Sequence, residues 1–557
     1  MADEVIAYPT GPRLVLLLVS VFLSMFLVAL DRLIIATAIP QITDDFKSQT
    51  DIGWYGSAYL LTTCASQLLF GKLYTYFSIK ALFLATVLLF EVGSALCGAA
   101  PNSIAFILGR AIAGIGAAGI SSGGILLIVF SLPLHKRPLF QGLFGAVFGI
   151  ASVVGPVVGG ALTTHVTWRW CFYINLPFGG VAMAVILFLL QVPDRETTKI
   201  PTKDKLAQLD VYGTVLFVPG CICLILALQW GGVTYSWNNG RMIALLVLAG
   251  LLLLGFVMVQ ILLPKTATIP PRIFKQRSIL SGFFTTVCIG SEMMIFTYYL
   301  PIWFQAIQGV SAVQSGIRIL PLVLSLVIGS LVAGALTHRI GYYTPLMIGG
   351  VCFMSIGAGL LYTLQVDTSE GQWIGYQILY GWGMGLATQA PNLAAQTVLS
   401  NRDIPIGTSL LFFAQLLGGA IFVSVGQNVL DNQLLKRLSS VPGFGASWIE
   451  NNGATSLTGL PASVKPTVIA AYNESLRQVF LVGLILVCLI MPGTLGMEWL
   501  SVKKNMKTQE KKSDEDGRME DNTKKNIPRP DEPETKTSVS VPVGADEEAG
   551  EEKEINL

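Results

Sequence analysis

Charge is scarce in this chain. Of its 557 residues only 13% are charged, against roughly 25% in a soluble domain. Mean hydropathy is +0.63 and 52% of the residues are hydrophobic, more apolar surface than a soluble fold of this size can hide. The few charges nearly cancel: 36 Lys and Arg against 34 Asp and Glu leave +2, which gives no footing for a nucleic-acid partner. Cysteine is absent outside the apolar runs. All eight (Cys64, Cys97, Cys171, Cys221, Cys223, Cys288, Cys352, Cys488) read as small buried hydrophobes. Cys221 and Cys223 are too close together, and too unaccompanied, to hold a metal. No GxxxxGK[ST] loop occurs, so direct ATP drive is not expected. With no nucleophile, metal or cofactor constellation, neither a cofactor nor an enzyme activity is expected.

What is abundant is long apolar runs. "LVLLLVSVFLSMFLVAL" (Leu14–Leu30) and "MIALLVLAGLLLLGFVMVQILL" (Met242–Leu263) are near the length that a bilayer requires. The first follows the acidic leader "MADEV" and is too long for a cleaved signal core, so it is expected to remain as a span. Cutting at charged or Pro/Gly-rich breaks predicts about 14 spans. They fall near 13–37, 52–72, 79–100, 103–130, 138–163, 168–191, 210–230, 241–263, 278–305, 313–336, 342–365, 372–399, 404–430 and 478–499.

One set of alternate loops holds Lys72 and Lys80; Lys136 and Arg137; Arg195, Lys199, Lys203 and Lys205; Lys265, Arg272, Lys275 and Arg277; Arg339; and Arg402. The opposite short loops hold little beyond Lys47 and Arg241. Basic residues mark the cytoplasmic side, so both termini are expected inside and the segment 431–477 outside. That segment carries Asn473-Glu474-Ser475, a glycosylation acceptor pattern that agrees with this topology. Residues 500–557 are rich in charge and lack hydrophobic periodicity, the composition of a disordered tail.

The chain also echoes itself. "FGKLYTYFSIK" (Phe70–Lys80) corresponds to "AGALTHRIGYY" (Ala333–Tyr343). Removing two middle spans leaves two sets of six, the internal duplication expected of a transporter. The predicted fold is therefore an all-α polytopic membrane protein. A cytoplasmic N-terminus (1–12) leads into a six-helix bundle (13–191) and a cytoplasmic linker (192–209). Two additional helices (210–263) precede a second six-helix bundle (264–499), which includes the outer loop 431–477, and the tail (500–557) follows.

Within the fifth span, Gly145 and Gly149 are four apart, as are Gly155 and Gly159. Small residues at that spacing let helices approach closely in lipid, and Pro156 permits a bend. The bland reading is a tightly packed structural helix. The run Gly155-Pro156-Val157-Val158-Gly159-Gly160, however, resembles the antiporter motif of major facilitator superfamily exporters. "LDRLIIATAIPQI" (Leu30–Ile42) and "LGRAIAGIGAAG" (Leu108–Gly119) resemble that family's first- and fourth-span motifs. "WRWCFYINLPFG" (Trp168–Gly179) is similar to the signature of the fourteen-span drug:proton antiporter branch. "YYLPIWFQAIQGVSAVQSGIRILP" (Tyr298–Pro321) resembles fungal members, among them mycotoxin efflux pumps. The resemblance covers most of residues 25–430.

It implies the major facilitator fold, a glycine-rich helix contact (Gly145, Gly149, Gly155, Pro156, Gly159, Gly160) that favours export, and a role for Arg110 in proton transfer. It also implies a gating loop, with Gly71 and Lys80 in the first half and Arg339 and Gly341 in the second. The first-half loop departs from the family's pattern: Thr75, Ser78 and Ile79 occupy the places of an Asp, a Gly and an Arg. Gly114, Gly116 and Gly119 also fit GxGxxG, but that fingerprint needs a preceding strand and these lie in a membrane span.

A charge inside the bilayer is costly and is a functional hypothesis by default. Asp31, Arg110 and Glu292 are the candidates for proton coupling, and Glu91 reads as structural. Tyr298, Trp303, Gln305, Gln389, Asn392 and Gln415 are candidates to line a cavity for a greasy polar substrate, although aromatics in spans commonly serve as packing or interface anchors. The reading is a proton-coupled efflux transporter that exports a hydrophobic small molecule (toxin, secondary metabolite or drug) by alternating access. It would work as a monomer in the cell membrane or an internal membrane such as the vacuole's. The alternatives are a proton-coupled importer of a nutrient or iron chelate, and a non-transporting sensor on the same scaffold.

Overall fold

A computed structural model describes residues 10–48, 51–190, 195–232, 235–438 and 464–503. The N-terminal leader up to residue 9 and nearly all of the tail lie outside the described residues, as does the centre of the predicted outer loop. With no water in a bilayer to satisfy peptide groups, the chain must bond its own backbone, and it does so as helices. Apart from short turns of helix in the connections, they are in chain order α1 (Gly11–Phe46), α2 (Ile52–Tyr76), α3 (Ile79–Ala99), α4 (Ser103–Ser131), α5 (Arg137–His165), α6 (Trp170–Leu189), α7 (Val211–Trp230) and α8 (Gly240–Leu262). There follow α9 (Arg277–Ile307), α10 (Leu320–Ile340), α11 (Thr344–Tyr362), α12 (Glu370–Ala387, continued after a break by Ala390–Val398), α13 (Ile404–Leu438) and α14 (Lys465–Gly496).

Among the described residues, twelve helices are long and apolar enough to cross a membrane. Two of the fourteen predicted spans, α2 and α12, fall outside that set. Their polar side chains are packed inside the protein: Gln67 of α2 and Gln377 of α12 are wholly buried. The helices also outrun the predicted spans. α13 continues to Leu438 and α14 begins at Lys465, so both ends of the predicted loop 431–477 are helical. Polar contacts support these extensions, as where Arg477 Nη1 donates to Glu474 Oε2 at 2.6 Å.

Local signals set the helix ends. Asn102 accepts from Ala105 N at the start of α4 (2.9 Å) and Asp210 from Gly213 N at the start of α7 (2.7 Å), each satisfying a donor that the first turn leaves open. Gly341 ends α10 in the left-handed region, at φ 92°, where a side chain would be strained.

α1 to α6 form one bundle, in which α3 packs on α4, α2 on α4, and α1 on both α5 and α6. α9 to α14 form the other, with α9 on α13 and α14, and α12 on α10 and α11. The bundles meet along two seams, α5 with α10 and α2 with α13. In a duplicated chain these are equivalent contacts, the second helix of one half against the fifth of the other. α7 stacks Phe217 between Phe256 of α8 (5.0 Å) and Phe413 of α13 (5.2 Å). α8 leaves Leu251 and Leu254 bare at 64% and 69% exposure, as a lipid-facing helix would. Hydrogen bonds tie residues 13 to 189, 195 to 74, 72 to 266 and 276 to 498. Those positions therefore share one face of the bundles, here called the terminal face; the opposite one is the distal face.

Candidate functional site

A cavity of about 1020 Å³ lies between the bundles, at the upper end of the range for drug-sized ligands. Its wall combines thioethers and rings (Met25, Met293, Phe144, Phe412) with amides (Gln389, Gln415). It reaches the distal ends of α2 and α13 at Ile52, Gly53, Asn428 and Asn432. The loop after α7 completes this mouth: Gly231 and Gly232 line it, and Trp237 Nε1 donates to Asn428 Oδ1 at 2.7 Å.

Towards the terminal face the two seams close. A Cβ on Gly142 would stand 2.5 Å from the Ser330 carbonyl oxygen, and one on Gly334 would stand 2.6 Å from that of Pro138. On the other seam, a Cβ on Gly71 would meet Ser409 Cβ at 3.0 Å, and Ser122 and Ser409 hydroxyls lie 3.1 Å apart. Outside the spans, Arg272 binds Asp403 through two parallel hydrogen bonds of 2.7 and 2.6 Å. Burial pushes the Asp403 carboxyl up, but the hydrogen bonds from Arg272 and Ser400 outweigh it and hold the group below the ordinary carboxylate range.

The structure divides the glycine run. Gly145 and Gly149 face Ser330 and Val327 of α10, in the other bundle. Gly155 and Gly159 instead face Leu33, Ile34 and Thr37 of α1, in their own bundle. Gly160 departs from the expected helix contact, because a Cβ there would meet no atom within 4 Å. Pro156 is exposed and α5 runs through it. Of the predicted gating residues, Gly71 sits in the α2–α13 seam, Gly341 caps α10, Arg339 is exposed and Lys80 is half-buried. The basic residue sunk into this region is Lys72, which is buried and donates to the Thr266 carbonyl at 3.1 Å.

Asp31 and Arg110, 79 positions apart, form an ion pair of 2.5 Å at 1% exposure each. Arg110 also donates to the Tyr55 carbonyl (3.0 Å) and lies 4.5 Å over the Tyr59 ring. Asn175 links Asp31 to Ser94. Glu91, buried in the same bundle, has neither carboxyl oxygen bonded. Glu292 lies apart from this group, sealed inside the second bundle, where Tyr380 donates to it.

Four predicted cavity residues, Tyr298, Gln389, Asn392 and Gln415, line the cavity. Two do not. Trp303 is wholly buried and its Nε1 donates to Asn473 at 2.7 Å, while Gln305 donates to Ser315. Asn473 is itself corrected as a glycosylation site. At 2% exposure within α14, its amide accepts from Trp303 and donates to the Leu364 carbonyl, which leaves no room for a glycan. Arg32, beside Asp31, enters the cavity without having been a candidate from the sequence. Its signal was present as a charge in the first span, masked by the acid next to it.

Two helical bundles that enclose a ligand-sized cavity, sealed together at one face, define a polytopic membrane carrier. The chain matches the Major Facilitator Superfamily over residues 21–423 and belongs to that family. It is 55% identical to an MFS-type transporter of Claviceps purpurea over 519 residues, covering 90% of each chain. It is 50% identical to a rubrofusarin-specific efflux pump of Gibberella zeae, covering 89% of this chain and 91% of that one. Among solved structures, the proton:xylose symporter XylE superposes with a TM-score of 0.55 at 15% identity, over 88% of this chain and 98% of that one; this likeness concerns the fold alone.

Proposed function

We propose that the protein exports a hydrophobic small molecule, of the secondary-metabolite, toxin or drug class, by proton-driven alternating access. It is a transporter and not an enzyme. The observation that carries the reading is the cavity between the bundles, closed towards the terminal face by backbone-close glycine contacts and reaching the distal face. The terminal face is cytoplasmic, in keeping with its basic loops, so this conformation faces outward and the tail lies inside. The name of the Gibberella zeae relative supports export of a secondary metabolite. Asp31 and Arg110 form the proton-coupling centre, since loading a proton on Asp31 would release Arg110 from its partner, and Glu292 is a second protonatable acid. The protein acts as a monomer in the cell membrane.

Deletion of the gene should cause a hydrophobic metabolite to accumulate in cells. Efflux of that metabolite from complemented cells should stop when a protonophore collapses the gradient with ATP kept high. Undiminished efflux under that treatment would refute proton drive; no difference in efflux between deleted and complemented cells would refute export.

A further inference from the structure

Among the described residues, no carboxylate pairs with Arg32. Its described partner is the Met294 sulfur, 3.6 Å from Nη2, and a thioether is a weak acceptor. Asp31, next in sequence, is committed to Arg110, and consecutive side chains on a helix point about 100° apart. Among the described residues that line the cavity, Asp431 is the other charged one. A Cβ on Gly419 would meet Met294, so Gly419 marks the depth of Arg32 on α13. Asp431 lies twelve residues further on, about 18 Å along the helix, where Gln427 donates to its carboxylate. The middle of an apolar cavity thus holds a fixed cation with no anion beside it, an arrangement that costs free energy until an anion or water fills it.

We propose that Arg32 selects the substrate: the cavity takes amphipathic anions, an apolar body carrying a carboxylate, sulfonate or ionised phenol that pairs with the Arg32 guanidinium. This rests on the reading of the cavity as a substrate site. Met25, Met293 and Phe144 receive the apolar body. Gln415 and Asn392 are uncharged donors on the opposite bundle. The anion bridges the bundles because Arg32 is on α1 and its present partner Met294 is on α9.

The test compares two probes with one apolar skeleton, 8-anilinonaphthalene-1-sulfonate and the neutral N-phenyl-1-naphthylamine. Binding to the full chain is measured in nanodiscs of zwitterionic lipid. Wild type should bind the sulfonate at least about tenfold more tightly, the order of one charge-assisted hydrogen bond. Arg32→Gln should lose that preference while its affinity for the neutral probe stays within about twofold, which also reports an intact cavity. Arg32→Lys should keep most of the preference. Equal affinity of wild type for the two probes, or a preference unchanged in Arg32→Gln, overturns the proposal, as does binding of neither probe by wild type. Because binding is read without turnover, a failure of proton-driven export leaves these outcomes unaffected, and a failure here leaves export standing.

Discussion

Adding one methyl group at Gly142 perturbs the α5–α10 seam where it is tightest. The new Cβ would stand 2.5 Å from the Ser330 carbonyl oxygen and 3.3 Å from Leu331 Cα, both backbone atoms that no rotamer change can move. Ordinary contact is about 3.5 Å, so α10 must retreat by roughly 1 Å. Overpacking of that kind costs about 1–3 kcal/mol. Because the cost falls on the sealed state alone, it shifts the balance towards the opened seam by about fivefold to 150-fold. The readout is a cysteine at Thr337, which is buried near the terminal end of α10, in a background lacking the exposed thiols Cys352 and Cys488. Gly142→Ala should raise its alkylation rate by at least about fivefold. Gly160→Ala is the control, since its methyl would meet nothing within 4 Å, and it should leave the rate unchanged. Equal rates in the two variants would show that the glycines do not set how tightly the seam closes.

Three further outcomes follow from named contacts. Asp31→Asn leaves Arg110 buried without its counter-ion and should destabilise the protein by about 3–5 kcal/mol; in a thermal-shift assay in detergent, the double variant Asp31→Asn/Arg110→Gln should recover much of that loss. The Asp403 carboxyl, held below its ordinary range by Arg272 and Ser400, contributes stability that is complete above its unfolded pKa near 4 and lost only as pH falls through the lowered value. Asp403→Asn should therefore slow transport without changing the shape of the rate profile between pH 5 and 8; a shape that flattens would assign pH sensing to this pair. Asn473→Gln should lower thermal stability by about 1–3 kcal/mol through the lost Trp303 bond, and glycosidase treatment of wild type should produce no shift in electrophoretic mobility.

How legible the molecule was in its sequence depended on which solvent each helix faces. α8 meets lipid nearly all round, and its run from Met242 to Leu263 matched the structure within a residue or two. α2 and α12 bury glutamines and tyrosines inside the protein, and these blur the apolar signal that marks a span. Helix ends beyond the bilayer, such as those of α13 and α14, follow hydrogen bonding and not hydropathy, and ran past the predicted limits. The site was legible in residue type more than in direction. In α9, Tyr298 points to the cavity while Trp303 turns into the second bundle, because a helix apolar on every side carries no moment to orient it. The Asp31–Arg110 pair joins residues 79 positions apart, and periodicity is silent at that range. Arg32 went unread because a neighbouring acid accounted for the local charge.

Alternating access requires that one cavity be reached from both faces in turn. Leu416 lines it from α13 and bears no part of the ion pair, so a cysteine there reports access alone. In right-side-out and inverted vesicles, a membrane-impermeant maleimide should label Leu416→Cys from the distal face at rest. It should label from the terminal face once a proton gradient and exported metabolite are supplied, with Gly142→Ala raising that second rate. Labelling confined to the distal face under conditions that sustain export would contradict alternating access through this cavity.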